Sequence, residues 1–213
     1  MGKKMYICAV GTLKDNQTEQ KILEAAEEIF HEKGFDGARM QEIADKATIN
    51  KGLLHYYFKS KDILFEAIFD LAIRRMITNL NSILAMDNSL EEKIELIIDA
   101  YMNLLSRNAS LPLFVINGLN KNPDKFIAKH LSGNLKTMFA GFKSCVDKEI
   151  SAGKIKEIDA RQLFMNIISM CIFPFLGRPL IQVVTGIDNK DFQILMAERR
   201  SLTKNFIKQA LRP

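Results

Sequence analysis

The chain has 213 residues, of which 47% are hydrophobic and 26% charged, with a net charge of +5 and a pI near 9.0. That length accommodates one small domain and one larger one, and the basic balance suits an anionic partner. Cys8, Cys145 and Cys171 are odd in number and far apart, which argues against a disulfide framework and for a reducing, cytoplasmic setting. With only His31, His55 and His130 available, neither a metal-ligand cluster nor a cofactor site is expected.

The opening MGKKMYICAVG has a basic start and an apolar patch too short for a signal peptide, with no clear cleavage site, so residues 1–15 read as a disordered or loosely packed arm. Ile22, Ala25, Ala26, Ile29 and Phe30 then form the apolar stripe of a helix that ends at Gly34, with Phe35 as an anchor behind it. Its outer face is acidic, carrying Glu24, Glu27, Glu28 and Glu32. Met40, Ile43, Ala44 and Ala47 fall at helical spacing and make a second, short helix, in which Ala44 is small enough for another helix to cross close by. Thr48 and Ile49 interrupt that pattern, and Asn50 supplies a side-chain oxygen to cap a third helix from Lys51 to about Phe58. There Leu54 and Phe58 face inward. Lys51, Gly52, Leu53, His55, Tyr56 and Tyr57 are left for the outer and flanking faces, and Lys59 and Lys61 extend the cationic run.

A turn between two short helices, with basic and aromatic residues interleaved on the second, suits a DNA groove. Cations and tyrosine or histidine donors reach phosphate oxygens and base acceptors, and a glycine lets the backbone approach. Residues 39–58 are therefore read as a helix-turn-helix within a DNA-binding domain of residues 16–61. Its expected contacts are Arg39, Gln41, Thr48, Asn50, Lys51, Gly52, Leu53, His55, Tyr56, Tyr57, Lys59 and Lys61.

The run Ile22 to Phe65, ILEAAEEIFHEKGFDGARMQEIADKATINKGLLHYYFKSKDILF, resembles the N-terminal domain of the TetR family of transcriptional regulators. The likeness lies in the order of the paired alanines and phenylalanine, Gly34-Phe35, Ile43-Ala44, Lys51-Gly52, Tyr57-Phe58 and Ser60-Lys61. Thr48 stands where that family commonly has glycine, so the turn either avoids positive φ or carries strain. His55 replaces a common tyrosine and can still donate to phosphate. Arg39 stands where threonine is frequent, exchanging a cap for a phosphate contact or a solvated surface position.

Residues 62–213 read as helices throughout, giving an all-α chain of about nine helices. A long helix runs from Asp62 to about Leu84, and Asn88-Ser89 caps the next, which carries Ile94, Ile97, Ile98, Tyr101, Met102 and Leu105. Pro112 and Pro123 each fit the first turn of a helix, and the one from Asp124 continues through Phe126, Met138 and Phe142 to about Gly153. Ala160 to Leu176 is apolar on nearly every side, but Asn166, Ser169 and the helix-breaking Pro174 argue against a membrane span. The last helix begins at Asp191. Burial of these final two helices against a second copy predicts a homodimer interface of Phe164, Ile168, Cys171, Phe175, Phe192, Leu195, Met196, Leu202 and Phe206.

For a TetR-like chain the resemblance implies a homodimer that holds double-stranded operator DNA and binds a small-molecule effector between the DNA-binding domain and the dimer helices. The candidate effector contacts are Met102, Leu105, Phe114, Phe139, Phe142, Cys145, Met165 and Met170, which favour an apolar or aromatic compound. The expected function is a ligand-released repressor of a palindromic operator; the alternative is a ligand-independent, nucleoid-associated DNA-binding protein. An enzyme is not expected. No phosphate-cradling glycine loop, HExxH, G-x-S-x-G elbow or Cys-His signature is present.

Overall fold

In a computed structural model, residues 3–131 and 135–213 are described, with side chains from Asp15 onward. Eleven α-helices and one π-helical turn make up the described residues, and no strand occurs among them. They divide into two compact units, Met1–Leu71 and Ala72–Pro213.

The first unit contains α1 (Lys3–Gly37), α2 (Met40–Lys46), α3 (Lys51–Tyr57) and the start of α4 (Lys61–Ala85). The α1 backbone reaches back through most of the stretch read as a loose arm. Met1, Gly2 and the side chains before Asp15 lie outside the described residues. Near its other end the helix breaks at Gly34, whose φ of 70° and ψ of 175° no side chain adopts without strain. Ile22, Ala26 and Phe30 from α1, Ile43 and Ala44 from α2 and Leu54 from α3 are buried as the helical spacing predicts, and Leu64 and Phe65 from α4 join them. Phe30, Phe35 and Phe65 close it as an aromatic trio, with ring centroids 5.0–5.9 Å apart.

The second unit continues α4 and adds α5 (Leu90–Arg107), α6 (Leu111–Lys121), α7 (Pro123–Phe126), a π-helical turn (Ile127–Leu131), α8 (Leu135–Ser151), α9 (Ala160–Leu176), α10 (Arg178–Thr185) and α11 (Asn189–Leu211). Amphipathic α5 is central. Its Leu90, Ile94, Ile97, Ile98 and Met102 meet Met138, Phe142 and Val146 of α8, Leu163, Ile167 and Cys171 of α9, and Ile207 and Leu211 of α11. Along its other side a ladder of ion pairs ties it to α11, with Lys204 Nζ 2.8 Å from Asp99 and Lys208 paired with Glu91.

The helix count exceeds the expected nine in two places. The helix expected from Asp124 to about Gly153 is divided, because α7 runs straight into a π-helical turn and α8 starts only at Leu135. Pro174 does not end α9 but sits inside its last turn. The chain breaks at Gly177 instead and, bent by 73°, begins the unanticipated α10, where Pro179 occupies a first-turn position that needs no backbone N–H. No single helix is long and apolar enough to cross a membrane among the described residues.

Candidate nucleic-acid interface

The turn between α2 and α3 is built by backbone bonds that Ala44 makes possible. Having no bulk at this crossing, it lies fully buried while its carbonyl accepts from Ile49 N at 3.0 Å. Thr48 takes φ 58°, so the turn has the left-handed conformation and a β-branched residue bears its strain. Asn50 Oδ1 accepts from Leu53 N at 2.8 Å, starting α3 as its cap.

Leu54 and Phe58 pin α3 to the core, and this orients the rest. Lys51, Gly52, Leu53 and Tyr56 face solvent, Tyr56 with 70% of its surface exposed. Lys59 Nζ lies 5.9 Å over the Tyr56 ring, so cation and phenol occupy one outward patch. Thr48 and Asn50 are exposed beside it, and His55 is half-buried.

Two expected DNA contacts have other partners. The Lys61 ammonium donates to the carbonyls of Phe35 (2.8 Å), Asp36 (3.3 Å) and Ala38 (3.3 Å) and lies 4.6 Å over the Phe35 ring. It therefore caps the C-terminal end of α1 rather than extending the outward charge, a position where a cation also meets the negative end of the helix dipole. The Tyr57 hydroxyl donates to Asp15 Oδ1 at 2.9 Å and ties α3 to α1; burial and that carboxylate push its pKa up. Spacing alone did not reveal either partner, because each lies more than 20 residues away in sequence.

Charge is sorted in the same way. Lys46 pairs with Glu28 at 2.5 Å and Glu32 at 3.8 Å, using the acidic face of α1. Glu42 accepts from Lys33 at 2.8 Å and from the backbone N of Arg39 at 3.3 Å, and its pKa is lowered chiefly by Lys33. Gln41 donates to Asp45. Arg39 and Lys51 are exposed cations with no ion pair among the described residues.

The expected effector contacts do not form one group. Met102, Leu105 and Phe142 are buried in the second unit's core, and Phe139, Cys145 and Met170 pack against it. Phe114 sits apart, its ring 5.7 Å from Phe126 and 6.0 Å from His130. Met165 is 53% exposed on α9 and faces away from that core. Lys93 was missed: it is only 8% exposed, and its place between Leu90 and Ile97 on the buried stripe was the available signal.

The residues of the expected dimer surface divide between buried and exposed positions. Cys171, Phe192 and Met196 are buried within the chain itself, and the half-buried Phe164 packs its ring against Phe139 and Phe142 at 5.5 and 5.6 Å. Phe175 also packs against the core, while Ile168 and Leu195 are half-buried. Leu202 and Phe206 are 62% and 59% exposed, and the outward set gains residues not expected from sequence: Met165 and Phe173 of α9, Leu180, Val183 and Val184 of α10, and Ile194 of α11.

Residues 22–68, the segment that carries this geometry, match the family model for bacterial regulatory proteins of the tetR family. The chain carries a tetR-family DNA-binding domain. Beyond that segment, it is 26% identical over 188 residues to the HTH-type transcriptional repressor NicS of Pseudomonas putida, covering 84% of this chain and 85% of that one. It is 24% identical over 198 residues to the HTH-type transcriptional regulator RutR of Escherichia coli K12, covering 92% and 91% of the two chains. Among solved structures, a TetR/AcrR-family regulator of Thermobifida fusca shares the fold with a TM-score of 0.62 at 18% identity, over 88% of this chain and 96% of that one. FadR of Bacillus subtilis, solved in complex with stearoyl-CoA, has a TM-score of 0.54 at 20% identity, over 86% and 96%. The domain and these relatives mark the chain as a TetR-like DNA-binding transcriptional regulator, not an enzyme.

Proposed function

We propose that the chain is a cytoplasmic repressor that binds a palindromic operator as a homodimer and leaves it when a small, apolar effector binds. In this reading residues 16–61 hold DNA, residues 62–213 hold the effector and the second copy, and residues 1–15 are the N-terminal arm. The observation that carries it is the outward patch of α3, where Lys51, Gly52, Leu53 and Tyr56 are presented by a helix locked from behind by Leu54 and Phe58. Such a patch combines a phosphate or guanine ligand, a close backbone approach and an aromatic donor.

A single seven-residue helix reads few base pairs, so a two-fold partner supplies the remaining affinity. The exposed apolar residues of α9, α10 and α11 are the surface offered for that partner. The repressor role is supported by the named activity of NicS, and an apolar effector by the methionine- and phenylalanine-rich second unit and by the stearoyl-CoA held by FadR. Release requires the effector to favour the arrangement that does not fit the operator.

The test is selection of bound fragments from the source genome, followed by footprinting and titration with acyl compounds. A two-fold footprint lost on adding a long-chain acyl compound is the expected result. Binding to random duplex with steep salt dependence and no preferred site would instead identify a nucleoid-associated protein.

A further inference from the structure

The two described cysteines have opposite surroundings. Cys171 is fully buried, and burial pushes its thiol up to about 11, which makes it inert. Cys145, on α8, is half-buried, and its Sγ lies 3.6 Å from Nζ of Lys93 on α5. Both groups converge on the end of α4, where Leu84 O accepts from Lys93 Nζ at 3.1 Å and from Cys145 Sγ at 3.8 Å. Lys93 is only 8% exposed, and it forms no ion pair with a carboxylate among the described residues. A buried ammonium normally acquires a counter-ion. This one has a carbonyl and a thiol.

We infer that Cys145 and Lys93 form a peroxide-responsive pair that closes into a sulfur–nitrogen cross-link between α8 and α5. Sulfur beside a cation and partly open to solvent is the setting in which thiols react with peroxides. In the first step Cys145 sulfur attacks a hydroperoxide and becomes a sulfenic acid: sulfur loses two electrons, the O–O bond breaks, and the peroxide leaves as an alcohol, or as water from hydrogen peroxide. In the second, Lys93 gives one proton to solvent and its amine attacks the same sulfur. The S–N bond forms, the S–O bond breaks, and the hydroxyl departs as water with the second amine proton. The closure removes a buried charge and tethers two helices of the second unit. It stands apart from the operator reading, since neither residue belongs to the DNA-binding segment.

Hydrogen peroxide is added to the full chain and intact mass is measured; remaining thiols are then alkylated without reduction, and proteolytic peptides are measured. The expected product is lighter than the reduced chain by about 2 Da, for the two hydrogens lost, carries one peptide pair joined through Lys93 and Cys145, and reverts with dithiothreitol. It is absent from Cys145→Ser. In Lys93→Arg, which keeps the cation, Cys145 instead accumulates as the sulfenic acid, trapped by dimedone. If wild-type Cys145 is trapped by dimedone as fully as in Lys93→Arg, or is found joined to another cysteine, the cross-link is overturned. Measurement on the wild-type chain decides the matter even where Lys93→Arg folds poorly.

Discussion

Thr48 bears the clearest local strain in the DNA-binding unit. Its φ of 58° costs a β-branched side chain about 1–3 kcal/mol, whereas glycine enters that region freely and loses about 0.5–1 kcal/mol in backbone entropy. Thr48→Gly is therefore expected to stabilise the protein by about 1 kcal/mol and to raise the thermal midpoint by about 2–4 °C, read by circular dichroism. An unchanged or lower midpoint would mean that the turn relaxes around threonine. The two lysines near α3 separate binding from folding. Lys51→Ala is expected to weaken operator binding and to lower the slope of log affinity against log salt by about 1, with the melting curve preserved. Lys61→Ala should instead destabilise the chain by about 1–3 kcal/mol, because three carbonyls lose a charged donor, while the salt slope stays as in wild type. Both lysines look alike in sequence. Only the position of Phe35, Asp36 and Ala38 around one ammonium distinguishes them.

Helix boundaries are set by side chains that satisfy the first free amides. At α5, Ser89 Oγ accepts from Glu92 N while the Glu92 carboxylate accepts from Ser89 N at 2.9 Å, a reciprocal box readable from the spacing Ser-x-x-Glu. At α9, Asp159 accepts from Arg161 N at 2.7 Å and pairs with its guanidinium, and these contacts hold its carboxyl at about 2. Because that value lies below the ordinary carboxylate range, the stabilisation is complete above pH 4 or so and disappears as the pH falls toward 2. Asp159→Asn is accordingly expected to melt below wild type at pH 7 and together with it near pH 2; a constant gap across that range would remove the carboxylate from the explanation. Caps of this kind can be read locally. The start of α10 could not, since Gly177 and Pro179 suggest only a break, and whether the next eight residues re-form a helix depends on how the chain turns back to join α11.

At the level of the whole molecule, the apolar residues that remain outside both units' cores decide how copies would associate. Phe206→Glu is expected to yield monomers by sedimentation with folding retained, whereas Phe192→Ala should cost about 3–5 kcal/mol of stability because its ring is buried in its own chain. Dimers that survive Phe206→Glu would remove this face of α11 from the interface. The two phenylalanines lie on one helix and carry the same hydrophobicity, so their division between core and surface was not legible from periodicity. What the sequence alone determined is the all-helical class, the three-helix core from Ile22 to Phe65 and the outward character of Lys51 and Tyr56, because helical spacing, caps and small residues act within a few positions of one another. The tertiary structure alone decided that Lys61 and Tyr57 serve α1, that Cys171, Phe192 and Met196 belong inside, and that Lys93 meets Cys145, because each depends on a partner brought close only when distant helices pack.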